Sequence, residues 1–522
     1  MPQKLQQGSV QKVKVPLFGA YSNRNSDPDK DQRFINVFPE SRKVDQLDQM
    51  RVYLKKRPGV DIQKTYSFTE GETPVDYKEA RGLAYFNGYV YSVWGNELWV
   101  DEDPEDPGID PILKASLTTD TRKVGFVFGN SATIGDYLFF TDGVSAFVIE
   151  SDYTVNEIIG AGSPPTPHLA SPTFLDGYIF LAVGSDIYNC DLDDPYTWDV
   201  SNFISSESFP DPIRALARQN NQIVAFNSIS IEFFYDASNA SGSPLNKNDS
   251  AVIQIGCFAP SCIFQGERYC FFVGQSETGG RSVWMIDGFQ PKKISDEFIE
   301  RIIDQETGAD PVTLLSTIVG YGFRSMGHFF FLINLLDSNR TLLYDIEEKL
   351  WHEWTTTMSY GILTEEVDTF ESNFCYNYAA SGPSSNIYFQ SAYSPCISFL
   401  SPTVNDDAFY FLYPIPHVTY YPINMLIRTN KYDMDTINRK RLHSLRLVSD
   451  YEIMYGTTDL RISYTDDDYK SFSTSRQMEL NKDFPILYQL GSFRRRAFQL
   501  DCTTDYTIRF EALELVYTED NS

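Results

Sequence analysis

The sequence predicts an all-β chain built as a β-propeller, with an extended N-terminal arm and a C-terminal β-sandwich-like module. Three observations predict it. Aromatic residues are 15% of the 522 residues, with 33 Tyr and 38 Phe, a composition that suits pleated, half-buried strands. Gly and Pro recur throughout, with 31 and 27 copies, while runs with the 3.6-residue period of an amphipathic helix are scarce. From about Gly82 a theme repeats: a short aromatic strand, a turn on Asn, Asp or Gly, and a second strand. Successive starts lie roughly 40 to 50 residues apart, the period of four-stranded blades.

Residues 1–75 read as the arm. The pieces VPLFGAYSNRN, RFINVFPE and KKRPGV set Pro16, Gly19, Pro39, Pro58 and Gly59 around brief apolar runs, which predicts an extended segment pinned by tight turns. Such a segment suits an arm lying across neighbours, whereas composition alone admits an ordinary N-terminal strand and loop.

Residues 76–404 read as the propeller. The stretch GLAYFNGYVYSVWGNELWV, Gly82 to Val100, is the cleanest repeat, with Asn87-Gly88 and Gly95-Asn96 as hairpin turns. The theme returns around Asp136 to Glu150, Asp176 to Leu192, Asn220 to Asp236, Gly266 to Asp287 and Gly327 to Trp354. Six blades fit, and the spacing also admits seven. No WD or kelch signature is present, so a stack of sandwiches is the rival. Recurrence without helical spacers favours the propeller. One helix is expected between Ser295 and Asp304, with Ser295 as N-cap, Asp296 and Glu297 at the positive helix end, and Phe298, Ile302 and Ile303 sharing a face.

Residues 405–437 break the pattern with FYFLYPIPHVTYYPINMLI. Pro414, Pro416 and Pro422 forbid a regular central strand. These aromatics and prolines fit a subunit interface and equally fit closure of the propeller core. Residues 438–522 return to alternating strands in LHSLRLVSD, LRISYTDDD, RRRAFQLDC and YTIRFEALELVY, which reads as a separate β-sandwich or jelly-roll-like module.

The 43 basic and 71 acidic side chains leave a net charge of −28, so nucleic acid phosphates are repelled by the chain as a whole. A general DNA-binding protein is excluded. The charge suits a conduit past which DNA slides, and it also suits plain solubility. The first residues, MPQKLQQGSVQKVKV, are polar throughout, so a cleaved secretion signal is not expected. The densest apolar window, Phe329 to Leu336, is far short of a bilayer span. A soluble chain made in the cytoplasm, without membrane insertion, is the expectation. Seven scattered cysteines, Cys190, Cys257, Cys262, Cys270, Cys375, Cys396 and Cys502, point to reduced thiols, with no zinc spacing among them.

Among motifs, Thr465 to Phe472 (TDDDYKSF) looks like an Asp-box that lacks its glycine, a structural hairpin turn without catalytic meaning. The loop DEDPEDPGID, Asp101 to Asp110, offers hard oxygen ligands but lacks EF-hand spacing, and a solvated loop is the favoured reading. Three basic clusters stand out against the acidity: Lys55-Lys56-Arg57, Arg439-Lys440-Arg441 and Arg494-Arg495-Arg496. They read as patches that dock onto an acidic neighbour, or as charges that guard strand edges. The five His residues are spread singly, and no nucleophile elbow, zinc-protease helix or phosphate-cradling loop is present. No cofactor, metal or catalytic residue is assigned.

The ordered set of pieces between Val15 and Gly59 resembles the N-terminal signature of the packaged-DNA stabilization proteins of short-tailed bacteriophages (podoviruses), the tail hub or nozzle. The chain end, a strand, an acidic turn and a basic-aromatic stretch, is also similar to that family. The resemblance implies a non-enzymatic virion protein of the tail, assembled as a homo-oligomeric ring, a hexamer, beneath the portal-adaptor proteins. It implies that the hub extends and closes the DNA exit channel, receives a tail needle or plug, carries spikes or fibres, and retains packaged DNA until infection. Pro16, Gly19, Arg24, Asn36, Pro39, Glu40, Pro58 and Gly59 are then signature positions of the arm. The alternative, on aromatics, acidity and the Asp-box-like turn, is a β-propeller glycan-binding or glycan-hydrolysing protein.

Overall fold

The computed structural model describes residues 9–18, 32–44, 49–70, 73–75 and 78–520, apart from 107, 240, 267, 276–279, 307–317, 336–337, 339, 361–367, 374–375, 383–385, 392–394, 402–405, 412–416, 450–458, 481–484 and 504–507. Two modules, a propeller and a sandwich, are built from strands, and one helix is present among these residues.

Six four-stranded antiparallel blades are continuous in sequence, as the repeat predicts. They begin with the inner strands Ala80–Phe86, Gly125–Ser131, Thr173–Leu175, Ile213–Gln219, Gly256–Gln265 and Ile318–Ser325. A seventh four-stranded sheet completes the ring. Its strands Tyr376–Ser381, Ile387–Ser391 and Cys396–Ser401 follow one another, and its outermost strand is Gly59–Thr65, from the other end of the chain. The inner strand Tyr376–Ser381 lies between those of blades 6 and 1, so the circle closes there. The seam of the ring is held by hydrogen bonds, with a strand borrowed from the N-terminal segment completing the last sheet.

Local chemistry explains the blades. At the predicted hairpin turns Asn87 and Gly88 take φ of 49° and 96° and Gly95 takes 54°, the left-handed conformations that the two-residue turns require. At the propeller centre Gly125 and Gly256 stand where neighbouring backbone crosses. A Cβ there would sit 2.3 Å from the Ala170 carbonyl oxygen and 2.0 Å from that of Ser228. Apolar clusters fill the spaces between blades, with Phe140, Phe147 and Leu138 between blades 1 and 2 and Phe226, Phe272 and Ile286 between blades 4 and 5. The helix runs over Glu297–Glu306. Its cap is Asp296, whose Oδ1 accepts the Phe298 and Ile299 amides at 3.0 and 2.9 Å. The expected cap, Ser295, instead takes the Val283 amide at 3.0 Å, because a strand donor reaches it first.

The sandwich is composite. In one sheet Arg509–Asp520 is flanked on one side by Arg439–Ser449 and on the other by Val10–Pro16 and Gln49–Lys56, the last paired with Val37–Val44. The facing strands run in the order Arg33–Ile35, Asn424–Arg428, Ala497–Thr503, Asp459–Thr465 and Arg476–Met478. Val15, Leu17, Phe34 and Leu54 share one core with Leu445, Leu500, Phe510 and Leu515. Residues 438–522 therefore do not make the module by themselves. The described strands of the segment expected as an arm are woven through the chain's own sheets. Between the modules, Asp406–Phe411 and His417–Pro422 pair as a hairpin beside Gly59–Thr65. Pro422 ends that hairpin, and Pro414 and Pro416 lie outside the described residues.

Candidate assembly site at the junction of the modules

Arg33–Ile35 is the strand that joins the two modules. Ile35 pairs in parallel with Glu353 on the outer strand of blade 6, while the other edge of the same strand pairs antiparallel with Asn424–Arg428. One continuous sheet thus passes from propeller to sandwich. Immediately after it the backbone turns at Asn36, which has φ of 56° and is 1% exposed. A short amide side chain tolerates that conformation better than most residues, and here it also satisfies the backbone that the turn leaves open. Asn36 Nδ2 donates to Thr355 Oγ1 at 3.0 Å and to the Asn424 carbonyl at 2.7 Å. Its Oδ1 accepts from Arg57 Nε at 2.8 Å and from the Thr355 amide at 2.9 Å.

Arg57 completes the knot. Its guanidinium donates to the Pro58 and Thr355 carbonyls, each at 2.9 Å, and lies over the Trp354 ring at 5.6 Å. Two residues onward Gly59 opens the strand that closes the seventh sheet. The stretch RPG therefore carries the chain from the sandwich through the junction and onto the propeller rim. Glu353 is the charged centre. Arg33 grips it through Nη2 at 2.9 Å and Nε at 3.2 Å, and Arg340 Nη2 reaches it at 2.6 Å. Burial alone would push this carboxyl up, but the two guanidinium groups outweigh it and hold it at about 2. A third link joins the Ser41 amide and hydroxyl to Glu348 at 3.0 and 2.7 Å.

Beside this knot, His328 Nδ1 meets Asp345 Oδ2 at 2.7 Å. With Glu347 these form the one grouping among the described residues with metal-ligand geometry. Backbone amides already occupy both carboxylates, those of Glu347 and Glu348 on Asp345 and that of Phe329 on Glu347. His352 is buried with neither ring nitrogen bonded, and burial pushes it down to about 4.

The sequence-predicted residues distribute unevenly. Asn36, Pro39, Pro58 and Gly59 are buried in or next to the junction, and Glu40 sits beside Arg509 at 3.6 Å. Pro16 is exposed at the end of its strand, and Gly19 and Arg24 lie outside the described residues. The docking-patch reading of the basic clusters needs correction. Lys56 and Arg57 are each 1% exposed, and Lys55 packs over Phe38 toward Met326, so that cluster serves the junction. Lys440 is buried and donates to the Thr436 and Arg494 carbonyls. Arg496 is buried between the Tyr464 and Phe493 rings at 3.7 and 4.6 Å and grips Asp466 at 2.7 and 2.8 Å. In alternating strands, one residue in two points inward. Only Arg439, Arg441, Arg494 and Arg495 of those two clusters face outward.

Sequence reasoning missed Lys64 and Arg81. Lys64, on the strand that closes the seventh sheet, pairs with Asp101 at 3.3 Å and donates to the Asp106 and Ile109 carbonyls. An ammonium thus occupies the centre of the loop weighed as a cation site. Burial, outweighing Lys64, raises Asp101 to about 6. Arg81 is fully buried and donates to the Gly95, Thr119, Thr121 and Arg122 carbonyls. Neither residue carries a sequence signal beyond its charge on an apolar strand. The Asp-box-like turn is structural, as read. Asp467 accepts from the Ser471 amide at 3.0 Å and from Thr465 Oγ1 at 2.8 Å, while Asp468 and Tyr469 adopt the left-handed φ of 64° without a glycine.

A closed ring of blades locked to a composite sandwich through a buried polar knot defines a two-module structural β-propeller. The family model described as Bacteriophage P22 Gp10, beta-propeller matches residues 13–380. The chain belongs to that family of phage DNA-stabilization proteins and is a structural protein of a phage particle. The match takes in Arg33–Ile35, the outer strand of blade 6 and the propeller as far as the first strand of the seventh sheet, and it ends before Asn424–Arg428. No curated protein matches the chain. Similar solved structures include a streptogramin B lyase, at 12% identity and TM-score 0.37 over 64% of this chain and 96% of that one. YCF48 bound to D1 peptide is 11% identical, with TM-score 0.32 over 66% and 97%, and the N-terminal domain of Nup159 is 9% identical, with TM-score 0.38 over 70% and 97%. Likenesses this weak bear on neither function nor mechanism.

Proposed function

We propose that this protein is the tail hub, or nozzle, of a short-tailed phage: a hexameric ring beneath the portal-adaptor complex that extends and closes the DNA exit channel. The observation that carries the reading is the family match over residues 13–380. The junction supports it mechanically. A hub under the pressure of packaged DNA must transmit load between modules without hinging, and a continuous sheet with two arginines gripping the buried Glu353 resists hinging. The charge of −28 supports a lumen wall that does not hold DNA. On this reading the DNA path runs between copies of the chain, along the axis of the ring they form. The outward arginines Arg439, Arg441, Arg494 and Arg495 are the docking charges for an acidic neighbour, and the needle, spikes or fibres attach elsewhere on the ring.

Negative-stain imaging with mass analysis of the full chain, alone and mixed with its own portal and adaptor proteins, tests the reading. Rings stacked beneath the adaptor are expected. Monomers that ignore both proteins would sink it.

A further inference from the structure

The tips of blades 3, 4 and 5 enclose a cleft of about 550 Å³, within the ~300–1,000 Å³ range of small-ligand pockets. It lies away from the junction, and nothing in the tail-hub reading uses it. Three turns build it. Asp176 heads the first hairpin of blade 3, Asn220 and Asn221 form that of blade 4, and Phe289 stands on the last turn of blade 5. Tyr235 and Asp236, at the end of the third strand of blade 4, supply the floor between them.

The chemistry of the lining is selective. It holds two carboxylates, several amides and two aromatic rings, and no basic side chain. The side chains of Asp176, Asn220 and Asn221 have no hydrogen bond within the described residues, and all three are exposed. Amide and carboxylate groups set side by side can accept from and donate to adjacent hydroxyls. Tyr235 and Phe289 are 41% and 40% exposed, and Phe289 is held edge-on to Phe233 at 5.2 Å. An aromatic face fixed in place at the rim of a polar cleft stacks on the C–H face of a pyranose ring at little entropic cost. The carboxylates and the lack of a cation disfavour phosphate and other anions.

We infer that this inter-blade cleft is a binding site for a neutral saccharide, with Asp176, Asn220, Asn221 and Asp236 bonding hydroxyls and Tyr235 and Phe289 stacking on sugar faces. Binding needs no bond-making step and stands independently of where the protein sits in the particle. A phage structural protein with such a site would touch a glycan-coated surface directly.

The full-length protein is screened against a printed array of neutral hexose and N-acetylhexosamine di- to tetrasaccharides, and hits are followed by saturation-transfer NMR. At least one saccharide is expected to bind, with affinity falling roughly fivefold to tenfold in Phe289→Ala and clearly in Asn221→Ala. If Phe289→Ala lowers the melting temperature, Asn221→Ala decides the question, because that side chain has no bond to lose within the described residues. No array signal, or binding unchanged in both variants, overturns the assignment. So does protection of this cleft from hydrogen exchange by an adaptor or fibre protein while saccharides fail to bind, which would make it a protein-docking surface.

Discussion

At the scale of single residues, the junction rests on polar atoms that are buried and satisfied together. Asn36 makes four side-chain bonds, so Asn36→Ala leaves the Arg57 guanidinium and the Asn424 carbonyl short of partners. A loss of about 3 kcal/mol is expected in urea unfolding. A loss below about 1 kcal/mol would show that water replaces the side chain. Glu353 carries a signed pH dependence. Its folded value, about 2, is depressed from the ordinary 4.5, so its stabilisation is full above pH 4.5 and is lost as pH falls from 4.5 toward 2. Glu353→Gln should cost about 3 kcal/mol at pH 7 by removing the charge that both arginines grip, and its stability should fall less steeply in that acid window, where other depressed carboxylates such as Asp467 still titrate. His352 behaves differently. Burial holds it at about 4 against an ordinary 6.5, so native stability declines as pH drops through that interval. His352→Phe removes two unbonded buried nitrogens and keeps a ring of similar shape against Phe330 and Trp354. It should melt at a higher temperature and lack that part of the decline. His328, raised by Asp345 against its burial, works in the opposite direction and is unchanged in this variant.

At the scale of elements, glycines decide how closely the blades meet. Gly256→Ala would drive a methyl into the Ser228 carbonyl, and a destabilisation of about 3 kcal/mol is expected. Gly135→Ala, at a turn with φ of 76° and nothing within 4 Å, should cost only about 1 kcal/mol from backbone strain. Equal effects in calorimetry would show that the inner strands spread readily. The blades themselves were legible from turn chemistry. Asn87-Gly88, Asp176-Gly177 and Met326-Gly327 all take paired positive φ values at hairpins, and the first two advertise this in sequence. The last strand of the ring was not legible, because Gly59–Thr65 lies more than 300 residues from Cys396–Ser401 and neither stretch names its partner.

At the scale of the whole molecule, both chain ends meet in one sandwich, and the propeller hangs from it through blade 6. Residues 438–522 expressed alone lack Val15, Leu17, Phe34 and Leu54 from their core and leave Arg509–Asp520 without the partners on one edge. They are expected to give a collapsed amide spectrum. A dispersed one would show that the C-terminal half of the sandwich folds independently. In the full chain the two modules should unfold in one transition, since breaking either opens the Arg33–Glu353 junction.

By itself the sequence determined the strand class, the blade period, the hairpin turns and the family, because each rests on neighbours in the chain: alternation, turn residues and an ordered motif. It also placed importance on the stretch from Val15 to Gly59. Only the tertiary structure decided what that stretch does. Asn36 and Arg57 are knotted to Thr355, and Gly59 begins a strand that seals a ring whose other strands lie far along the chain. The physical reason is that alternation tells which residues of a strand can face inward but not which sheet it joins. Three arginines in a row, Arg494 to Arg496, look alike until one of them turns between two rings and the other two meet water.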